Sequence, residues 1–199
     1  VIKADQLSSR SKSTRRQILD AAAATLKEEG FAAASTRAIA RRGGFNQALV
    51  FYHFGTLNDL LLAVLDDLGA LRMEQFRADL ESVKTWPDLV AMARRIYTDD
   101  LLSGHMAVVS QLVAGSVAHP ELGPQVVARM EPWIAFGEEA VARVVGGTPL
   151  EAVLRPRELA YTAVTLYLGI NLLTQLDADR SRTEALFAAA ERASAFLDA

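Results

Sequence analysis

Cysteine is absent from the chain, which excludes a disulfide framework and any thiolate metal site. Histidine occurs three times, as His53, His105 and His119, too far apart for a metal-ligand spacing; neither a metal nor a cofactor is expected. No alternation of β-branched or aromatic with polar residues runs long enough for a strand. Residues 1–16, VIKADQLSSRSKSTRR, hold no apolar region of the secretory kind. The most apolar long stretch, residues 163–176, is interrupted by Thr165, Gly169, Asn171 and Thr174 and falls short of the roughly 18 uninterrupted apolar residues of a membrane span. A soluble, cytoplasmic protein with no membrane partner is the expectation. Enzymatic chemistry also lacks a carrier. The adjacent carboxylates Asp66 with Asp67, Asp99 with Asp100 and Glu138 with Glu139 diverge on a helix and read as solvated, and no nucleophile stands beside a base.

What is present is an apolar half, 51% of 199 residues, enough to bury one substantial core and a small satellite domain. The net charge of −3 conceals an asymmetry. Residues 1–60 carry nine Lys/Arg against five Asp/Glu, and the remainder twelve against nineteen, so the basic end is the one suited to a polyanion.

Apolar residues recur with helical period almost throughout, which predicts an all-α fold. A first helix is expected over residues 14–29, with Ile18, Ala22 and Leu26 on one face and Gly30 as its stop. A second follows Ser35 and ends at Gly43 and Gly44, and a third starts at Asn46, a good N-cap residue, and stops near Gly55. Thr56 with Asp59, Thr85 with Asp88, Thr148 with Glu151 and Ser181 with Glu184 each place an oxygen side chain three residues before a carboxylate, the capping-box pattern that starts a helix. His119-Pro120 and Gly146-Gly147 read as breaks, and Pro156 suits the first turn of a helix reaching about Leu176. The count is three short helices, a longer linking helix and about five more.

The second and third helices, joined by a tight turn with glycine, form a helix-turn-helix over about residues 35–54, whose second helix can lie in a DNA major groove. Val50 and Phe54, four residues apart, can pack inward with Ile39 and Phe45, leaving Asn46, Gln47, Leu49, Tyr52 and His53 on other faces. Asn and Gln suit adenine edges, Leu49 a thymine methyl, and Tyr52 and His53 phosphates.

The run TRRQILDAAAATLKEEGFAAASTRAIARRGGFNQALVFYHFGTLNDLLLAVLD, residues 14–66, resembles the N-terminal DNA-binding domain of the tetracycline-repressor (TetR) family of bacterial regulators. The likeness rests on the ILDAA opening, Gly30-Phe31, Thr36-Arg37-Ile39-Ala40, Gly44, the Tyr-His-Phe ending and the LLLAVL of helix four. It implies a homodimeric transcriptional repressor that binds double-stranded operator DNA and is released by a small-molecule effector. The implied DNA contacts are Thr36, Arg37, Asn46, Gln47, Ala48, Leu49, Tyr52, His53 and Thr56. Two departures stand out: Phe51 replaces the usual tyrosine and has no hydroxyl for a phosphate, while Leu57 and Asn58 stand where a lysine is frequent. Backbone contacts then lean on Thr36, Arg37 and Thr56, with Lys12, Arg15 and Arg16 of the arm. The alternative is a helical protein-interaction module without specific DNA binding.

The domain reading is a flexible basic arm over residues 1–13, the DNA-binding domain over 14–66, and an effector-binding and dimerisation domain over 67–199. Within the last, Leu159, Ala163, Leu166, Ile170 and Leu173 make one stripe and Tyr161, Thr165, Leu168 and Leu172 a second, so this helix is expected to be buried on most of its circumference. Leu186, Ala190, Ala193 and Leu197 recur on the last helix. The resemblance assigns Leu159, Ala163, Leu166, Ile170, Leu186, Ala190, Ala193 and Leu197 to a dimer interface, although intramolecular core accounts equally for their periodicity. Candidate pocket residues are Trp86, Tyr97, Met106, Gln111, Trp133, Phe136, Tyr161, Thr165 and Asn171, and with no charge cluster among them the effector reads as small, uncharged and fairly apolar.

Overall fold

Two separate hydrophobic cores organise the chain in the computed structural model, which describes residues 2–153, 155–177 and 179–197. Every regular element among them is helical. The helices are α1 (Ile2–Glu29), α2 (Thr36–Gly43), α3 (Ala48–Phe54), α4 (Leu57–Gln75), α5 (Arg77–Ser82), α6 (Trp86–Ser103), α7 (His105–Ala118), α8 (Gly123–Ala128), α9 (Glu131–Val145), α10 (Pro156–Leu176) and α11 (Ser181–Leu197), with 3₁₀ turns at Phe31–Ala33 and Pro149–Ala152. The all-α expectation holds, and the arrangement is a helix-turn-helix unit followed by a second helical unit.

The first unit takes residues 1–68 together with 107–128. Its core is built from the i, i+4 faces of α1 (Ile18, Ala22, Leu26), Ile39 of α2, Val50 of α3, Leu60, Leu61 and Val64 of α4, and Val108, Leu112, Leu122 and Val126 of the 107–128 segment. That segment was expected with the C-terminal domain. Besides these core residues, three contacts to Phe31 join it to the first unit: Gln111 Oε1 accepts the Phe31 N–H at 3.0 Å, the Phe31 and His119 rings lie 5.6 Å apart, and the Phe31 ring lies over Gly115 so closely that a Cβ there would sit 2.4 Å from it.

Caps explain most of the boundaries. Ser35 Oγ accepts the Ala38 N–H, Thr56 and Asp59 exchange both bonds of a capping box, and Thr85 and Asp88 do the same. Four boundaries differ from the sequence reading. The 1–13 arm has helical backbone from Ile2, there being no Pro or Gly before Gly30 to stop α1. Asn46 does not cap α3 directly: its Oδ1 accepts the Ala48 N–H in a side-chain turn, and Gln47 is the cap residue. The Thr148 pattern produces only a 3₁₀ turn, because Glu151 reaches back to the Gly147 N–H and Thr148 Oγ1 donates to the Val145 carbonyl. Ser181 is the first helical residue of α11 rather than its cap, and Asp179 Oδ1 accepts its N–H.

The second unit takes residues 69–106 and 129–199. Phe76, Leu80, Met92, Phe136, Ala140 and Val144 form its core. Helix α10 packs on α9 where Gly137 meets Ala160, and α11 packs on α6 through Tyr97 and Phe187, ring centroids 5.2 Å apart. One face of α10 is covered, centred on Ala160, Val164, Tyr167, Asn171 and Thr174 with Leu159, Leu168 and Ile170 half-buried at its edges, so the expectation of a helix buried on most of its circumference fails. Its inward stripe is largely polar because those groups find partners there, and Leu166, Leu172, Leu173 and Leu176 point outward. By length and hydropathy α10 also qualifies as a membrane span. Its hydrogen-bonded inner stripe is instead that of a helix docked on protein.

Candidate nucleic-acid interface

The turn between α2 and α3 sets the site. Gly44 closes α2 in the left-handed conformation at φ 67°, where a side chain would be strained, and the Phe45 N–H returns to the Ala40 carbonyl at 3.1 Å. Gln17 of α1 ties the turn down by donating to the Gly43 carbonyl at 2.7 Å. Phe45 then packs on the core, with Val50 fully buried below α3 and Phe54 partly buried at its end.

With Val50 as anchor, the helical repeat turns the remaining side chains outward. Asn46, Gln47, Ala48, Arg37 and Thr56 are exposed, and Tyr52 is 79% exposed. Thr36 is half-buried and accepts a 2.7 Å bond from Gln47 Nε2. His53 is half-buried with its ring edge-on to Tyr52 at 4.9 Å. Leu49 is drawn against the core and only partly open. Phe51 is half exposed.

Among the cations of this unit, Arg37 and Arg41 are exposed. Arg16, expected to contact DNA, is paired with Asp20 and Asp67 at 2.7 and 2.8 Å, and those carboxylates raise its pKa. Arg15 lies over the Phe54 ring at 4.8 Å, and Arg42 pairs with Glu28 and Glu29.

A family model for bacterial regulatory proteins of the tetR family matches residues 18–64. Residues 18–64 therefore carry a DNA-binding domain of the tetR type. Over 52 residues the TetR-type segment is 54% identical to the HTH-type transcriptional repressor Rv3405c of Mycobacterium tuberculosis and to the HTH-type transcriptional regulator Mb3439c of Mycobacterium bovis, a match covering 26% of this chain and 28% of each relative. The chain thus spans little more than a quarter of the length of these curated relatives. Similarity of fold extends further. A TetR transcriptional regulator from Legionella pneumophila matches with TM-score 0.66 at 21% identity, covering 89% of this chain and 95% of that one. The regulator FadR of Bacillus subtilis, in complex with stearoyl-CoA, matches with TM-score 0.68 at 14% identity and the same coverage. The multidrug binding protein EbrR, complexed with malachite green, matches with TM-score 0.60 at 23% identity, covering 89% and 96%.

The candidate pocket residues separate. Gln111 lies in the first unit on the Phe31 N–H; Tyr161 and Thr165 are exposed on α10. Tyr97, Met106, Phe136 and Asn171 are buried in the second unit, and Trp86 and Trp133 are half-buried there. Of the residues assigned to the dimer interface, Ala163, Leu166, Leu186, Ala193 and Leu197 are exposed and Leu159, Ile170 and Ala190 half-buried.

A buried polar cluster escaped the sequence reading. Arg72, 3% exposed, donates to Asp99 and meets Asp100 at 2.6 Å. Tyr167 donates to the other Asp100 oxygen, Asn171 donates to the Tyr167 carbonyl at 2.9 Å, and Tyr97 and Thr174 share a 3.3 Å bond. Asp100 is therefore not solvated as expected. Burial pushes its pKa up, whereas the hydrogen bond from Arg72 holds Asp99 below the usual carboxylate value. Burial also raises the Tyr167 phenol. A polar i, i+4, i+7 pattern at Tyr167, Asn171 and Thr174 was the available signal.

Proposed function

We propose that this chain is a transcriptional repressor that binds a near-palindromic operator as a homodimer and leaves it when a small molecule occupies the second unit. The observation that carries the reading is the sorting of α3, with Val50 sealed in the core while Asn46, Gln47 and Tyr52 face outward. This is the division of labour of a recognition helix, the outer residues offering amide and hydroxyl groups to base edges and phosphates. Thr36, Arg37 and Thr56 flank it at helix starts, where backbone N–H groups favour phosphate, and Ala48, Leu49 and His53 complete the surface. The name of Rv3405c as a repressor supports the direction of control. Cytoplasmic location follows from the work itself.

A single recognition helix reads few base pairs, so a two-fold pair spaced about 34–36 Å apart is the economical solution. Support for pairing lies in the uncovered apolar faces of α10 and α11, with Leu172, Leu173 and Leu176 on one and Leu186, Phe196 and Leu197 on the other. The effector is a small, fairly apolar organic molecule, its contacts drawn from Trp86, Tyr97, Met106, Trp133, Phe136 and Asn171. The fold neighbours EbrR and FadR hold malachite green and stearoyl-CoA respectively. An effector acts only through its preference for the conformation that does not fit DNA.

The experiment is selection of bound fragments from the source genome, then titration of the best fragment at several salt concentrations. A near-palindrome bound with a steep salt slope, weakened on the order of tenfold or more by Gln47→Ala, is expected. Weak binding indifferent to sequence and to that substitution would defeat the repressor and leave an interaction module.

A further inference from the structure

Two side chains assigned to DNA contact are bonded to each other: Gln47 Nε2 donates to Thr36 Oγ1 at 2.7 Å. Local backbone fixes both ends. Thr36 opens α2 directly after the Ser35 cap and is half-buried. Gln47 stands at the entry of α3 with helical backbone angles, and the bond from the Ala48 N–H to Asn46 Oδ1, at 2.8 Å, holds the turn just before it.

A primary amide donates at one end and accepts at the other, and a threonine hydroxyl can do both. Thr36 alone therefore does not choose which end of Gln47 it meets. A phosphate does choose, because its charged oxygens only accept. A Thr36 hydroxyl set against the DNA backbone gives its proton to phosphate and keeps only lone pairs for Gln47. The amide must then turn its nitrogen toward Thr36, as it does here, leaving its oxygen and second N–H for the groove.

Resting on the reading of α3 as the groove-facing helix, we propose that Thr36 is a positioning residue that makes Gln47 an adenine reader and excludes guanine. Adenine presents an N7 acceptor beside N6–H donors, whereas guanine presents two acceptors, N7 and O6. The oxygen and remaining N–H of Gln47 complement the first pattern, and against the second the amide oxygen meets O6 with no proton between them. The phosphate contact thus fixes the base choice.

The test is selection from a randomised DNA pool by the full chain, then titration of the best site and of its adenine-to-guanine variant at the base pair whose preference disappears in Q47A. Wild type and T36S, which keeps the hydroxyl, are expected to favour adenine on the order of tenfold. T36V and T36A are expected to bind more weakly overall and to lose that preference to within about twofold. In the Q47A background T36V should weaken both sites equally. T36A deletes the hydroxyl without the extra methyl, so a folding defect peculiar to valine does not decide the outcome. A preference retained in T36V and T36A, or a guanine at the Gln47 position of the wild-type site, overturns the positioning role and leaves the regulator intact. A wild-type chain that selects no site overturns both.

Discussion

At Arg72 a nearly sealed guanidinium meets Asp100, equally sealed, together with the more open Asp99. Removing one member of a buried pair strands the other, so Arg72→Ala should cost about 3–5 kcal/mol in urea melts. Loss of its stacking on Phe76, 4.7 Å from ring centroid to guanidinium carbon, adds to this. The two aspartates shift oppositely against the same cation because burial dominates at Asp100 and the hydrogen bond dominates at Asp99. Asp99 has its folded pKa lowered, so its contribution is complete above the unfolded value near 4 and lost as pH falls through the folded value. The stability gap between wild type and Asp99→Asn should therefore shrink progressively as the pH falls below about 5. A gap that widens on acidification would mean the pair is not formed. The pairing with Arg72 was not legible in the sequence, since adjacent aspartates on a helix ordinarily diverge into water, and the cation that retains Asp100 comes from a different helix.

Among the elements, α7 shows how one contact assigns a segment to a unit. A methyl at position 115 would collide with the Phe31 ring, so Gly115→Ala should cost about 1–3 kcal/mol by overpacking. Gln111→Ala should cost a similar amount, about 1–3 kcal/mol, by leaving the Phe31 N–H without its acceptor. Hydrogen exchange at the Phe31 amide is the sharper readout, and it should accelerate in both variants. Sequence reading recovered what is local: the Ser35, Thr56 and Thr85 caps, the Gly44 stop, and the face Ile18, Ala22, Leu26 that builds the first core. It missed α5 and α8, six residues each, too short for a period to show. It also gave residues 107–128 to the wrong unit, because Gln111 and Phe31 are 80 positions apart and nothing in either stretch announces the other. The outward sorting of side chains around α3 was the most legible part, since one buried residue, Val50, fixes the phase of all the rest. Leu49 was the exception, drawn partly into the core by its own apolarity.

For the whole molecule, the outward leucines of α10 matter most. Leu173 is 66% exposed and Leu176 77%, so Leu173→Glu should leave the single chain folded while abolishing pairing, read by sedimentation. DNA affinity should fall with it, since each half-site would then be bound alone. A sedimentation profile unchanged by the substitution would remove α10 from the interface. The same stripe makes thermal stability a matter of mass action. If two copies cover these leucines, every tenfold dilution removes roughly 1.4 kcal/mol of association free energy per dimer, and the melting temperature slides down with concentration. A cell that lets the concentration of this protein fall would thus hold one that is both scarcer and, molecule for molecule, less durable.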